Sequence, residues 1–155
     1  MRFLIVLLAL AGMFDSYLAL QIHNEDPSKA PPCAVTEKFD CGTVNHSRYA
    51  DFPPRTFEEA PDSKGIHIPV ATLGLIGYAL IGIAALSKQY WITLQLTEIG
   101  FAFAAFLTYL EAYVLEKWCI YCLWSFAIIS TILLVTIVIL VMNHMRRRRT
   151  VAIAP

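Results

Sequence analysis

Four apolar runs, each close to the ~20 residues that cross the hydrocarbon core of a bilayer, dominate this chain. They cover residues 3–22, 66–86, 91–110 and 118–143. Asp15 is the single charge of the first run and Glu98 that of the third, while the second and fourth contain no Asp, Glu, Lys or Arg. A segment surrounded by lipid must satisfy its backbone N–H and C=O groups internally, so each run is predicted helical. The expected fold is an all-α membrane protein: a four-transmembrane-helix bundle forming a single domain over residues 1–155, with a long extracytoplasmic loop, 23–65, between helices 1 and 2. The first run also reads as a signal peptide, with Met1-Arg2 as a basic start and Phe3–Gly12 as its apolar region. Two features favour a retained span: the apolar pattern continues through Tyr17, Leu18, Leu20 and Ile22, and no small-x-small site precedes Gln21.

Composition agrees, at 57% hydrophobic and 15% charged. Lys plus Arg and Asp plus Glu number twelve each, so no basic excess draws the chain to nucleic acid, and the expected surroundings are the lipid bilayer. Basic residues near span ends mark the cytoplasmic side. Here they are Arg2 before the first run, Lys88 between the second and third, and Arg146–Arg149 after the fourth, which places both termini in the cytoplasm. His23–Gly65, with eight acidic residues against five basic, then lies outside, as does Glu111–Lys117.

With this topology Cys33, Cys41, Cys119 and Cys122 all fall on the outer side, where disulfides persist. Two purely structural bridges are one reading. The spacing of the second pair points elsewhere: residues i and i+3 share a helix face, and so small a loop constrains the unfolded chain very little. Such a bridge stabilises weakly but switches well. The unpaired amides of a helix start also favour thiolate. A thiol at that depth can meet a lipid-soluble quinone. Around it, Trp118 and Tyr121 read as an interfacial aromatic belt, while Trp124 and Phe126 lie deeper and are candidates to line a ring pocket. Zinc is another use for four cysteines, but Cys33 and Cys41 are too far apart for a short-spaced knuckle, and His46 and His67 read as loop and interface residues; no metal is expected. Asp15 and Glu98 sit at different depths, each expected to make a polar contact inside the bundle, with Asp15 near enough to the cysteines to serve as a proton route.

Several stretches carry a family resemblance. LALAGMFDSYLALQIH (8–23) contains a Gly, a Ser-Tyr-Leu and a terminal His; Cys33 and Cys41 form a loop pair; CGTVNHSRYA (41–50) places Ser47, Arg48 and Tyr49 six to eight residues after the second loop cysteine; IPVATLGLIGYAL (68–80) is Gly-rich; and Cys119-Ile-Tyr-Cys122 opens the fourth run. Together they resemble the vitamin K epoxide reductase family in its compact bacterial form, over nearly the whole chain.

The resemblance implies a quinone-coupled thiol–disulfide oxidoreductase in a bacterial inner membrane. Electrons would pass from a separate extracytoplasmic thioredoxin-like partner through Cys33 and Cys41 to Cys119 and Cys122, and on to a membrane quinone, supporting disulfide formation. Cys122 would meet the quinone, Cys119 would resolve, Ser47 would donate a hydrogen bond to a quinone oxygen, and Tyr49, Trp124 and Phe126 would help to hold the ring. No thioredoxin-like domain is expected within the chain. Epoxide-reducing members carry an Asn around Val70 and a Tyr where this chain has Phe126, and both departures favour plain quinone reduction over reduction of vitamin K epoxide. A four-span scaffold with structural bridges remains the reading from another class. Asp51–Lys64 reads as an insertion relative to shorter relatives and receives no role.

Overall fold

The computed structural model describes residues 1–26, 33, 36, 38–55 and 67–153. Most of the Asp51–Lys64 insertion, the prolines at 31, 32 and 61, and the start of the second apolar run at Ile66 lie outside the described residues. In chain order the elements are α1 (Arg2–Asn24), a short α2 (Cys41–Asn45), β1 (Asp51–Phe52), β2 (Ile68–Pro69), α3 (Val70–Leu86), α4 (Tyr90–Leu110) continuing into a π-helical turn (Glu111–Leu115), and α5 (Ile120–Ile153).

Three helical stretches are long and apolar enough to cross a membrane: Arg2–Asn24, Tyr90–Leu115 and Ile120–Arg146. The second apolar run forms a shorter helix, Val70–Leu86, rather than one starting at residue 66. Proline explains the later start. Ile68 precedes Pro69 and is held extended by the clash with its ring, so the chain enters as β2 and turns helical only after Pro69, which occupies the N-cap with φ −53° and ψ 131°. β2 pairs antiparallel with β1, Asp51 opposite Pro69 and Phe52 opposite Ile68.

The four long helices pack in a ring, α1 against α3 and α5, and α4 against α3 and α5. On α1 the buried positions Ile5, Ala9, Gly12, Ser16 and Ala19 recur every three or four residues, while Phe3, Leu7, Leu10, Phe14 and Tyr17 are exposed. Lipid tails are as apolar as the leucines, so close backbone approach at small residues holds such an interface. A Cβ on Gly12 would meet the Tyr78 ring at 2.5 Å. Tyr78 cannot easily yield, because its hydroxyl donates to the Ser125 carbonyl at 2.9 Å and bonds the Ser125 hydroxyl at 2.8 Å. A Cβ on Gly74 would meet only the Ser16 hydroxyl, at 2.9 Å, and that group can rotate. Gly12→Val is therefore expected to destabilise by about 1–3 kcal/mol through overpacking, and Gly74→Ala by less. Thermal unfolding of both variants in detergent, followed by circular dichroism, checks the order.

Along the α4–α5 seam the buried hydroxyls of Thr97 and Thr136 are satisfied on their own helices, donating to the carbonyls of Thr93 and Ile132 at 2.9 and 2.8 Å. Thr93, Thr97 and Gly100 set the inward face of α4, and Glu98 falls off it. The expected contact inside the bundle is thus not made: Glu98 is exposed on the outer surface of α4, whereas Asp15 is buried. One core cluster, centred on Ile5, Tyr78, Ile81, Ile129 and Ile132, packs inside the bundle. A second, at the end where the loop docks, contains Ile22, Val44 and all four cysteines.

Candidate functional site

The loop reaches the bundle through a short backbone zipper. Phe39 and Trp118 form a parallel bridge, with the Trp118 N–H donating to the Lys38 carbonyl at 2.8 Å and the Asp40 N–H donating to the Trp118 carbonyl at 3.1 Å. Asp40 then starts α2 as its N-cap, its carboxylate accepting from the Thr43 amide at 3.1 Å and from the Thr43 hydroxyl at 2.6 Å. The Thr43 hydroxyl and then its amide hold the Asp40 carboxyl below the usual carboxylate range. The zipper ends one residue before Cys41 on one strand and one before Cys119 on the other. It therefore sets the first cysteine of α2 against the first cysteine of the motif.

Cys41 is bonded to Cys33, with Cα atoms 5.8 Å apart. Cys119 and Cys122 are free thiols. Cys119 is 0% exposed, and Asn45 ties the two pairs together: its side-chain amide donates to the Cys41 carbonyl at 2.9 Å and approaches the Cys119 sulfur at 3.6 Å. From the other side the Glu111 carboxylate accepts the Cys119 N–H at 2.9 Å. That amide is one of the unpaired donors at the start of α5, where a carboxylate is favoured. The π-helical turn after α4 and the left-handed Glu116 (φ 51°) that ends it carry Glu111 to this position.

Below the loop the ring of helices encloses a cavity of about 440 Å³, within the range of small-molecule pockets. Its wall is mostly apolar, from residues such as Leu73, Leu96 and Phe103, and a few polar groups converge on it. Cys122 lines it from α5, Glu111 from the π-helical turn, Asp15 from α1, and Ser47 with Tyr49 from the loop after α2. The Ser47 hydroxyl is buried without a hydrogen-bond partner. Such a group costs about 1–3 kcal/mol for as long as nothing pairs with it. The loop carrying Ser47 is pinned by His23, whose Nδ1 donates to the Asn45 carbonyl at 2.7 Å and whose Nε2 lies 3.5 Å from Asp51. Asp51, 3% exposed, also accepts from Arg55 at 2.6 Å.

Of the residues singled out from the sequence, the structure brings together Cys33, Cys41, Cys119 and Cys122 in one cluster and places Ser47 and Tyr49 on the cavity wall. Trp124 and Phe126 are placed elsewhere: Trp124 is 61% exposed on the outer surface, and Phe126 stacks on Phe101 with centroids 5.4 Å apart. The cavity face of α5 is Cys122, Ser125 and Ile129; at 100° per residue Trp124 turns to the opposite side, whereas Phe126 lies at the edge of that face and its ring packs on Phe101. Tyr121, read as part of the aromatic belt, lines the cavity. Sequence reasoning passed over Glu111, Asn45 and His23. The available signal for Glu111 was an acid at the junction of an apolar run and the motif, and for His23 its place at the end of the first span.

A ring of apolar helices with two cysteine pairs in contact, one of them opening onto a cavity, defines a membrane-embedded redox protein of the thiol–disulfide class. The family model for the vitamin K epoxide reductase family matches residues 3–138, and the chain belongs to that family. It is accordingly a membrane oxidoreductase of a quinone-using family, and its Cys33–Cys41 disulfide is in place. Comparison with curated proteins finds no match.

Proposed function

We propose that this chain oxidises the thiols of a separate extracytoplasmic thioredoxin-like protein and passes the electrons to a membrane quinone. The observation that carries this reading is the meeting of both cysteine pairs in one cluster, with Cys122 lining an apolar cavity that also holds the unpartnered Ser47 hydroxyl. The partner reduces the Cys33–Cys41 disulfide, and the Cys41 thiolate then attacks Cys119 of an oxidised Cys119–Cys122 pair. That step forms a Cys41–Cys119 bond and releases Cys122 as thiolate; Cys33 next attacks Cys41 and frees Cys119. The reduced motif pair gives two electrons and two protons to the quinone, becoming a disulfide as quinol forms. α3 serves as a fourth crossing, both termini face the cytoplasm, and the cysteines face outward.

Two features support plain quinone reduction over epoxide reduction. Val70 brings only an apolar side chain to the cavity, and Phe126, packed on Phe101, brings no hydroxyl. The test is quinol formation by purified protein supplied with dithiothreitol and a short-chain quinone, followed by absorbance. Ser47→Ala protein is expected to exchange thiols normally yet reduce quinone ~10²-fold more slowly, the usual cost of removing one donor to a developing oxyanion. Wild-type protein that forms no quinol from any quinone tried would overturn the reading.

A further inference from the structure

The Glu111 side chain is 2% exposed, far below the level expected of a carboxylate whose only task is to cap a helix at a membrane surface. One oxygen accepts the Cys119 N–H at 2.9 Å. The other, Oε1, is buried without a hydrogen-bond partner. The residue lines the same cavity as Cys122, and the Cys122 thiol lies within interaction range of the carboxyl. A buried carboxylate oxygen left unpaired is costly, and here it stands beside a sulfur that must lose its proton for the reaction to proceed.

We infer that Glu111 is the proton acceptor for Cys122 and Cys119, carrying the thiol protons to the quinone oxygens; this rests on the quinone-reductase reading above. The Glu111 carboxylate takes the Cys122 thiol proton, and the Cys122 sulfur adds to a ring carbon, placing negative charge on a ring oxygen that Glu111 then protonates. Glu111, again ionised, takes the Cys119 proton. The Cys119 thiolate attacks the Cys122 sulfur, the S–S bond forms as the C–S bond breaks, and the electron pair returns to the ring, whose second oxygen receives the proton from Glu111. Two thiol hydrogens have moved to two oxygens, and Glu111 ends as it began. One carboxylate can serve both thiols because one of its oxygens is anchored at the Cys119 N–H while the other is left without a partner on a residue that lines the cavity with Cys122.

Other titratable groups share that cavity: Asp15 and His23 from α1, Tyr78 from α3, Tyr121 from α5 and Tyr49 from the loop. The decisive variant is Glu111→Gln, whose amide oxygen can still accept the Cys119 N–H and so preserves the cap. Expected are an unchanged Cys33–Cys41 bridge by peptide mapping, quinone reduction slowed 10²- to 10⁴-fold at neutral pH, as for loss of a general base, and a rate that climbs with pH as hydroxide replaces the missing acceptor. Wild-type rate and an unchanged pH profile in Glu111→Gln protein would overturn the inference while leaving the quinone-reductase reading intact. Failure of the wild-type protein to reduce quinone would remove both. Should the variant not accumulate, redox-difference infrared spectra of wild-type protein labelled with ¹³C-glutamate put the same question. A glutamate carboxyl band that changes as the motif pair cycles is expected, and a silent glutamate region would overturn the proposal.

Discussion

Cys122→Ser protein is expected to reduce no quinone with any thiol donor, large or small. Among the described residues Cys122 is the cysteine on the cavity wall, while Cys119 is sealed between Asn45 and Glu111 at 0% exposure. A ring held in the cavity therefore meets one sulfur and not the other. Without Cys122 the motif pair cannot close on itself, so the Cys119 thiolate is expected to exchange only with the Cys33–Cys41 bridge, attacking Cys41 and releasing Cys33 to give a Cys41–Cys119 mixed disulfide, visible by peptide mapping under non-reducing conditions. The measurement is quinol absorbance in purified protein with dithiothreitol. Quinone reduction at the wild-type rate by Cys122→Ser protein would show that the site is wrongly placed, and Cys33 joined to Cys122 as the sole bridge in unmodified protein would show that the relay is.

The apolar helices were legible in the sequence because lipid leaves the backbone so few alternatives; a long run without charges must be helical to satisfy itself. Their ends were less legible. Pro69 delays α3 by several residues, and the extended entry it imposes lets Ile68–Pro69 pair with Asp51–Phe52, a contact set by the loop rather than by the run. Which way each residue faces was harder again. In a soluble helix the polar stripe marks the outside, but in these helices both faces are apolar and only small residues mark the inside. Gly12, Ser16 and Gly100 carry that information, and Trp124 and Glu98 do not.

The cysteines were legible for a different reason: thiol spacing constrains chemistry directly. Glu111 was not, because its role depends on the π-helical turn that swings it beneath Cys119, and no local pattern in EAYVL announces that turn. Asn45 likewise gains its meaning from the Phe39–Trp118 bridge, a pairing across 79 positions that docks α2 on the start of α5. The site combines a motif readable from spacing with partners readable only after the loop has docked.

Cys33→Ser protein is expected to lose turnover with a protein thiol donor while keeping part of its activity with a small dithiol. Both bridge cysteines are buried, Cys41 at 0% and Cys33 at 5%, and Cys41 lies against Cys119, so Cys33 is the sulfur expected to exchange with a thioredoxin-like protein. Without Cys33 the reduced Cys119–Cys122 pair still serves a single round of quinone reduction, after which the remaining Cys41 attacks Cys119 of the new disulfide and releases Cys122. With Cys33 absent, no internal thiol breaks the Cys41–Cys119 bond in the forward direction and Cys122 can only reverse the exchange, so the protein stalls without a reduced motif pair. A dithiol of a few atoms can resolve the bond, because the loop is held over it by the two hydrogen bonds of the Phe39–Trp118 zipper and the Asn45 side chain, a lid that local opening can lift. Two assays of the same variant separate the outcomes: quinol formation with a reduced thioredoxin-like protein, expected to cease after one turnover, and with dithiothreitol, expected to continue more slowly than wild type. Sustained turnover with the protein donor would mean that electrons enter at Cys119 directly and that Cys33 and Cys41 form a structural bridge only.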